Sequence, residues 1–113
     1  MVGCGGDRDR TKRPLMAETA LQYGDWCFFT SDNPRTENPK DILADMTTGL
    51  KDTHYSVIED RKEAIKAAVS RAEKGDVVLI AGKGHETFQQ IGLTKLLFDD
   101  RKAAKEAIEN KEL

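Results

Sequence analysis

Trp26-Cys27-Phe28-Phe29-Thr30-Ser31-Asp32-Asn33-Pro34-Arg35 passes from an apolar run straight into a dense polar turn. A short apolar run without alternation is what a strand buried on both faces of a parallel sheet requires. At its carboxyl end stand a carboxylate, an amide and a guanidinium, grouped around a proline that fixes one backbone torsion. Opposite charges this close suit a ligand that carries both signs itself. The planar fork of Arg35 can grip a carboxylate through two parallel hydrogen bonds. The plainer alternative is a proline turn into a helix beside an incidental surface arginine.

Working outward, Val77-Val78-Leu79-Ile80-Ala81 is a second continuous apolar run. Tyr55–Ile58 is a weaker strand signal, and Val2–Cys4 reads as the tail of a strand. Helical patterns lie between them. From about Pro14 to Tyr23, residues Leu15, Met16, Thr19, Ala20 and Tyr23 share one side. Asn38 and Pro39 form a cap and first-turn pair before Ile42, Leu43, Met46 and Leu50. Asp60 caps a helix whose inward face is Ala64, Ile65, Ala68, Val69 and Ala72, with Gly75 as its stop. A last helix runs from Asp99 or Asp100 to Asn110, and the tail Glu109–Leu113 is expected to fray. Strands alternating with helices predict an α/β fold with a mostly parallel sheet. Thr87–Ile91 and Leu96–Phe98 are short enough for an antiparallel edge strand or hairpin.

Composition narrows the class. The 113 residues are 38% hydrophobic and 34% charged, as one soluble domain with a modest core would be. A formal charge of -2 supplies no basic face for nucleic acid, and Asp7 and Asp9 dilute the cluster Arg8, Arg10, Lys12, Arg13. No apolar run reaches membrane-spanning length and no secretory leader is evident, so the expected location is cytoplasmic. Cys4 and Cys27 stand far apart without metal-ligand spacing, and are expected to be reduced.

Three loops follow strand ends: Gly3–Pro14, Ser31–Pro39 and Gly82–Glu86. In an open parallel sheet the carboxyl ends share one rim, where ligands bind. Arg8, Asp32, Asn33, Arg35 and Glu86 can therefore converge, a set suited to a zwitterionic amino acid. Gly3-Cys4-Gly5-Gly6 and Gly82-Lys83-Gly84 match neither a nucleotide-triphosphate loop nor a dinucleotide fingerprint, so their glycines are assigned to tight turns or close backbone approach. Lys83 is left between a phosphate ligand and a solvated cation. His85, with no nucleophile beside it, is read first as a hydrogen-bonded structural residue and second as catalytic.

Three motifs carry a resemblance. Gly3-Cys4-Gly5-Gly6-Asp7-Arg8-Asp9 with Lys12-Arg13-Pro14, then Ser31-Asp32-Asn33-Pro34-Arg35-Thr36-Glu37, then Asp76–Glu86 resemble the carboxyl-terminal domain of bacterial Mur ligases in order and spacing, across about residues 2–108. The resemblance implies a Rossmann-like three-layer sandwich over residues 1–113, with the amino-terminal and central ATP-binding domains absent. It also implies an ATP-dependent amide ligase of peptidoglycan biosynthesis, using ATP and Mg²⁺ bound mainly by the central domain. In that chemistry the side-chain carboxylate of a D-glutamate is phosphorylated, and the amine of an incoming amino acid displaces phosphate. The Asp-Asn-Pro-Arg turn marks members that add meso-diaminopimelate to UDP-N-acetylmuramoyl-L-alanyl-D-glutamate, whereas lysine-adding members lack the arginine.

Carried over residue by residue, the implied amino-acid site is Arg8, Asp32, Asn33, Arg35, Gly82 and Glu86. No catalytic residue and no metal ligand are implied here. Met1 falls inside what should be the first strand, so the expectation is an excised domain or partial product that forms no amide bond alone. The alternatives are a lysine-adding ligase and a stand-alone binding module.

Overall fold

The computed structural model describes residues 1–111. Its centre is a parallel sheet of β1 (Val2–Cys4), β2 (Cys27–Ser31) and β3 (Tyr55–Val57), in that spatial order. Val2 pairs with Phe29 and Cys27 with Tyr55. All five residues of β2 are buried, as its unbroken apolar run requires.

Helix α1 (Lys12–Tyr23) follows β1 and α2 (Pro39–Thr47) follows β2. Two crossovers running the same way across a parallel sheet, with the usual right hand, are expected on one face, and both helices pack into one core cluster. There Ala17, Leu21, Ile42, Leu43 and Met46 pack with Cys4, Cys27 and Phe29. After β3 the chain turns back beneath the sheet. Helix α3 (Arg61–Arg71) and helix α4 (Asp100–Glu109) pack through Ile65, Val69 and Ala103, with Met1, Ile80 and Phe98 against them. The result is the expected three-layer α/β sandwich.

Caps explain the helix starts. Asn38 accepts from the Lys40 N–H with Pro39 in the first turn, Asp60 accepts from Glu63, and Asp99 accepts from Arg101. Helix α3 stops at Arg71, before Gly75. The glycine instead serves the following turn, at φ +92°, where Asp76 N–H donates to the Glu73 carbonyl at 2.9 Å. At the carboxyl end, the Lys111 ammonium donates to the carbonyls of Val69 and Ala72, so the tail is tied to α3 as far as it is described. The rest of the stretch expected to fray, residues 112–113, lies outside the described residues.

The run Val77–Ala81 departs from its expectation. It lies beside β1 in parallel, with Met1 N–H donating to Leu79 at 2.8 Å and Ala81 N–H to Met1 at 3.0 Å. That pairing extends through one residue, so no regular strand forms. Val78 and Ile80 are half-buried, but Val77 is 90% and Leu79 72% exposed. Burial on both faces is therefore wrong here.

Helix α1 departs too. Its buried face is Arg13, Ala17 and Leu21, while Leu15, Met16 and Tyr23 are exposed. These residues, with Thr19, Ala20, Val77, Leu79 and Trp26, line an open cleft of about 870 Å³. The expected apolar side exists, but among the described residues its Leu15, Met16 and Tyr23 stay exposed.

The hairpin β4 (Phe88–Ile91) and β5 (Thr94–Leu97) turns through Gly92 at φ +62°. It forms its own two-stranded sheet and does not extend the edge of the main one. Its docking point is the loop after β2, where Arg35 bridges Ile91.

Candidate functional site at the carboxyl rim of the sheet

Residues 77–81 flank β1 on one side and β2 on the other, so the chain leaves the carboxyl ends in opposite directions. Such a switch point opens a crevice that neither crossover covers. The loops after β1, after β2 and after residue 81 meet there. A β-carbon built on Gly82 (φ +111°) would stand 3.8 Å from the Gly3 carbonyl oxygen.

The first two loops are in van der Waals contact through glycine. Gly6 donates to the Asn33 carbonyl at 2.7 Å, and a β-carbon there would overlap the Pro34 carbonyl. A β-carbon on Gly5 would lie 2.9 Å from Arg35 Nη1 and 3.5 Å from Arg8 Cγ, so both arginine side chains border Gly5. These glycines are expected to serve tight turns or backbone approach to a ligand; here their backbone approaches the neighbouring loop. Asp7, at φ +54°, completes the joint: its carboxylate accepts from Thr36 Oγ1 at 2.7 Å and its N–H donates to Glu37 at 2.7 Å.

Arg35 has left-handed backbone, φ +53°. Its N–H donates to Gln90 at 3.0 Å, and its Nη1 donates to the Gly6 carbonyl at 2.8 Å. Main chain and side chain are thus held by different loops, and the half-buried guanidinium retains further donors. Asp32 is half-buried, with its carbonyl taken by Gln89 Nε2 at 2.8 Å. Asn33 is buried, its Oδ1 accepting from Lys83 Nζ at 2.6 Å and Gln90 N–H at 2.9 Å.

Lys83 itself is 3% exposed and also donates to Phe88 at 3.0 Å. It is neither a solvated cation nor free for a phosphate. Its Nζ stands 3.3 Å from Asp32 Oδ1, a charge contact without hydrogen-bond alignment, since that buried oxygen has no hydrogen-bond partner among the described residues. Glu86 is half-buried and tied by its N–H to the Lys83 carbonyl at 3.0 Å. His85 is exposed and makes no hydrogen bond among the described residues, against its structural reading. Arg8 is exposed and likewise unbonded there. Asp32, Asn33 and Arg35 are thus tied together through Lys83 and the hairpin, Gly82 lies exposed beside Gly3, and Arg8 and Glu86 stand at the border. None of the six lines the large apolar cleft.

Two buried arginines escaped the sequence reading. Arg13 Nη2 and Nη1 reach Glu37 at 2.7 and 2.9 Å, Nη1 reaches Asp45 at 2.9 Å, and Nη2 the Gly5 carbonyl at 3.0 Å. Hydrogen bonds from Arg10 and Arg13 push the Asp45 carboxyl down to about 2, and Arg13 holds Glu37 below the usual carboxylate range. Arg61 grips Asp100 with two bonds of 2.7 Å and donates to Ser31 at 2.9 Å and Ala81 at 3.3 Å. One guanidinium therefore holds the last residue before each of the two polar loops. Pairing across long sequence separations left no local signal, although Lys12-Arg13-Pro14 and Thr36-Glu37 lay within the quoted motifs.

Chemically the rim presents hydrogen-bond donors and acceptors and no activated nucleophile among the described residues. The Cys4 thiol is buried and burial pushes its pKa up, which removes it as a nucleophile. What remains is fixed donors and acceptors for carboxylate and ammonium groups.

The family model described as Mur ligase, glutamate ligase domain, matches residues 1–84. The chain is 62% identical over 113 residues to the UDP-N-acetylmuramoyl-L-alanyl-D-glutamate–2,6-diaminopimelate ligase of Oceanobacillus iheyensis, covering 98% of this chain and 23% of that protein. It is 57% identical to the ligase of the same description from Geobacillus thermodenitrificans, with the same coverage. A solved structure of a UDP-N-acetylmuramoyl-L-alanyl-D-glutamate–2,6-diaminopimelate ligase superposes with a TM-score of 0.91 at 49% identity, over 96% of this chain and 23% of that one. The chain spans under a quarter of the length of these relatives.

Proposed function

This chain belongs to the Mur ligase family, and from that premise we propose that it is the amino-acid-binding, carboxyl-terminal domain of a ligase. The full ligase adds meso-diaminopimelate to UDP-N-acetylmuramoyl-L-alanyl-D-glutamate in an ATP-dependent reaction. Residues 1–113 form that one domain, and the UDP-linked precursor is held by the rest of the ligase. The observation that carries the reading is Arg35, held in left-handed backbone on the switch-point rim beside Asp32, Asn33 and Gly82.

ATP and Mg²⁺ are assigned mainly to the central domain of the full ligase, as the resemblance implies. Its one lysine in a glycine-flanked loop, Lys83, is buried against Asn33 and Phe88, which does not fit a phosphate cradle. Among the described residues no three acidic, histidine or cysteine side chains group as a metal site. No described helix is long and apolar enough to cross a membrane.

Meso-diaminopimelate is lysine with a second carboxylate at its far end. Arg35, Arg8 and the Asn33 amide supply donors for carboxylates; Asp32, Glu86 and the Gly82 carbonyl accept from ammonium groups. Lysine would leave a partly desolvated guanidinium without its partner, at about 1–3 kcal/mol per lost bond and more for a charge. Sites built this way discriminate by about 10⁴-fold against the analogue lacking the group. In the full ligase, Arg35→Ala should raise the KM for meso-diaminopimelate and narrow its preference over lysine. Unchanged kinetics with both amino acids would remove the proposal.

A further inference from the structure

We infer that Lys83 is a positioning residue for amino-acid recognition: it locks the side-chain amide of Asn33 so that the nitrogen end faces the ligand. The inference rests on reading the rim as the diaminopimelate site. Asn33 is buried, and the two groups behind its amide are an ammonium at 2.6 Å and the backbone N–H of Gln90 at 2.9 Å. Both are pure donors, so the oxygen must face them whichever way the amide atoms are labelled. Both acceptor positions of that oxygen are then filled. The amide nitrogen meets no acceptor among the described residues, which leaves its two N–H bonds for a carboxylate.

Gln90 supplies one donor from the edge of a hairpin, which biases the amide but leaves the second acceptor position of its oxygen open. Lys83 adds a second donor from a different loop. It also fixes the hairpin through the Phe88 carbonyl at 3.0 Å and sets a positive charge 3.3 Å from Asp32. Asp32 and Asn33 are therefore oriented from behind by a residue that is 3% exposed and does not itself touch the ligand. A flipped amide would turn an oxygen toward a carboxylate, replacing attraction with repulsion.

The test uses the full ligase, with steady-state kinetics in meso-diaminopimelate, ATP and the UDP-linked precursor. Lys83→Met should raise the KM for meso-diaminopimelate by about tenfold, leaving kcat and the other two KM values within about twofold. Asn33→Asp keeps an acceptor facing Lys83, and so the fold, but turns a second oxygen outward. It should raise the same KM at least as far, with no fall in Tm. A purely structural role predicts a lower Tm and active fraction with all three KM values unchanged, and that result overturns the inference. So does a rise shared equally by all three substrates, or an unaltered diaminopimelate KM in either variant. If Lys83→Met does not fold, Lys83→Gln is judged by the same criterion, because Asn33→Asp alone reports on Asn33. Arg35→Ala separates the two levels. If it leaves the diaminopimelate KM unchanged, the reading of the rim fails; if it raises that KM while Lys83→Met does not, only the role of Lys83 fails.

Discussion

Gly6 and Pro34 meet backbone to backbone, with no space between them for a side chain. This contact joins the loop after β1 to the loop after β2, and the bond from Gly6 N–H to the Asn33 carbonyl lies beside it at 2.7 Å. A methyl group can be accommodated only by separating the loops. Gly6→Ala should therefore cost about 1–3 kcal/mol, as overpacking does elsewhere. Denaturant unfolding of the purified domain measures it. Wild-type stability would mean that the loops are not in contact in solution.

Arg61 and Asp100 form a bidentate pair inside the protein, between α3 and α4. Removing one partner strands the other as an uncompensated buried charge. Asp100→Ala is expected to destabilise by about 3–5 kcal/mol, whereas the double change Arg61→Met/Asp100→Leu should cost much less than the sum of the singles. The residual cost of the double variant reflects the carbonyls of Ser31 and Ala81, which lose their shared donor. A double-mutant cycle with additive singles would show that the pair is not coupled.

What could be read from the chain, and what could not, follows from the range of the interactions. Apolar runs and caps are local, so β2, α2, α3 and the hairpin were legible from Trp26–Thr30, Asn38-Pro39, Asp60 and Thr87–Phe98. The strand ends then led to the rim. The face of α1 was not legible, because Leu15, Met16 and Tyr23 satisfy helical periodicity as well as Ala17 and Leu21 do; only packing distinguishes them. Val77–Ala81 failed for a related reason, since burial depends on neighbours that hydropathy does not reveal. Lys83 was undecidable, because its partners Asn33 and Asp32 are about fifty residues away in sequence.

Asp45 gives a dependence on pH. Hydrogen bonds from Arg10 and Arg13 lower its carboxyl from an ordinary 3.8 to about 2. A folded-state pKa below the unfolded one contributes stability that is complete above the unfolded value and disappears as pH falls through the folded one. The contribution is thus intact at neutral pH and lost between about 3.8 and about 2. Asp45→Asn should be less stable than wild type at pH 7, and the gap should close as pH approaches 2. The side chain is 22% exposed, so solvent screens part of the effect, and added salt should shrink the gap at pH 7. A gap independent of pH would assign the loss to packing.

Arg35 separates stability from recognition. A residue with a β-carbon pays a conformational penalty in left-handed backbone, about 1–2 kcal/mol, that glycine avoids. At φ +53° Arg35 bears that penalty, and its N–H bond to Gln90 with the carbonyl bond from Gly92 keeps it there. Strain retained at a ligand rim is expected where geometry matters more than stability. Arg35→Ala and Arg35→Gly remove the same guanidinium and the same bond to Gly6, so both should lose diaminopimelate recognition alike in the full ligase. They differ only in the backbone: the glycine variant should be the more stable by about 1 kcal/mol. Equal unfolding free energies would mean that residue 35 leaves the left-handed region once its side chain is gone. In that case the guanidinium, and not the hairpin, would be holding the turn.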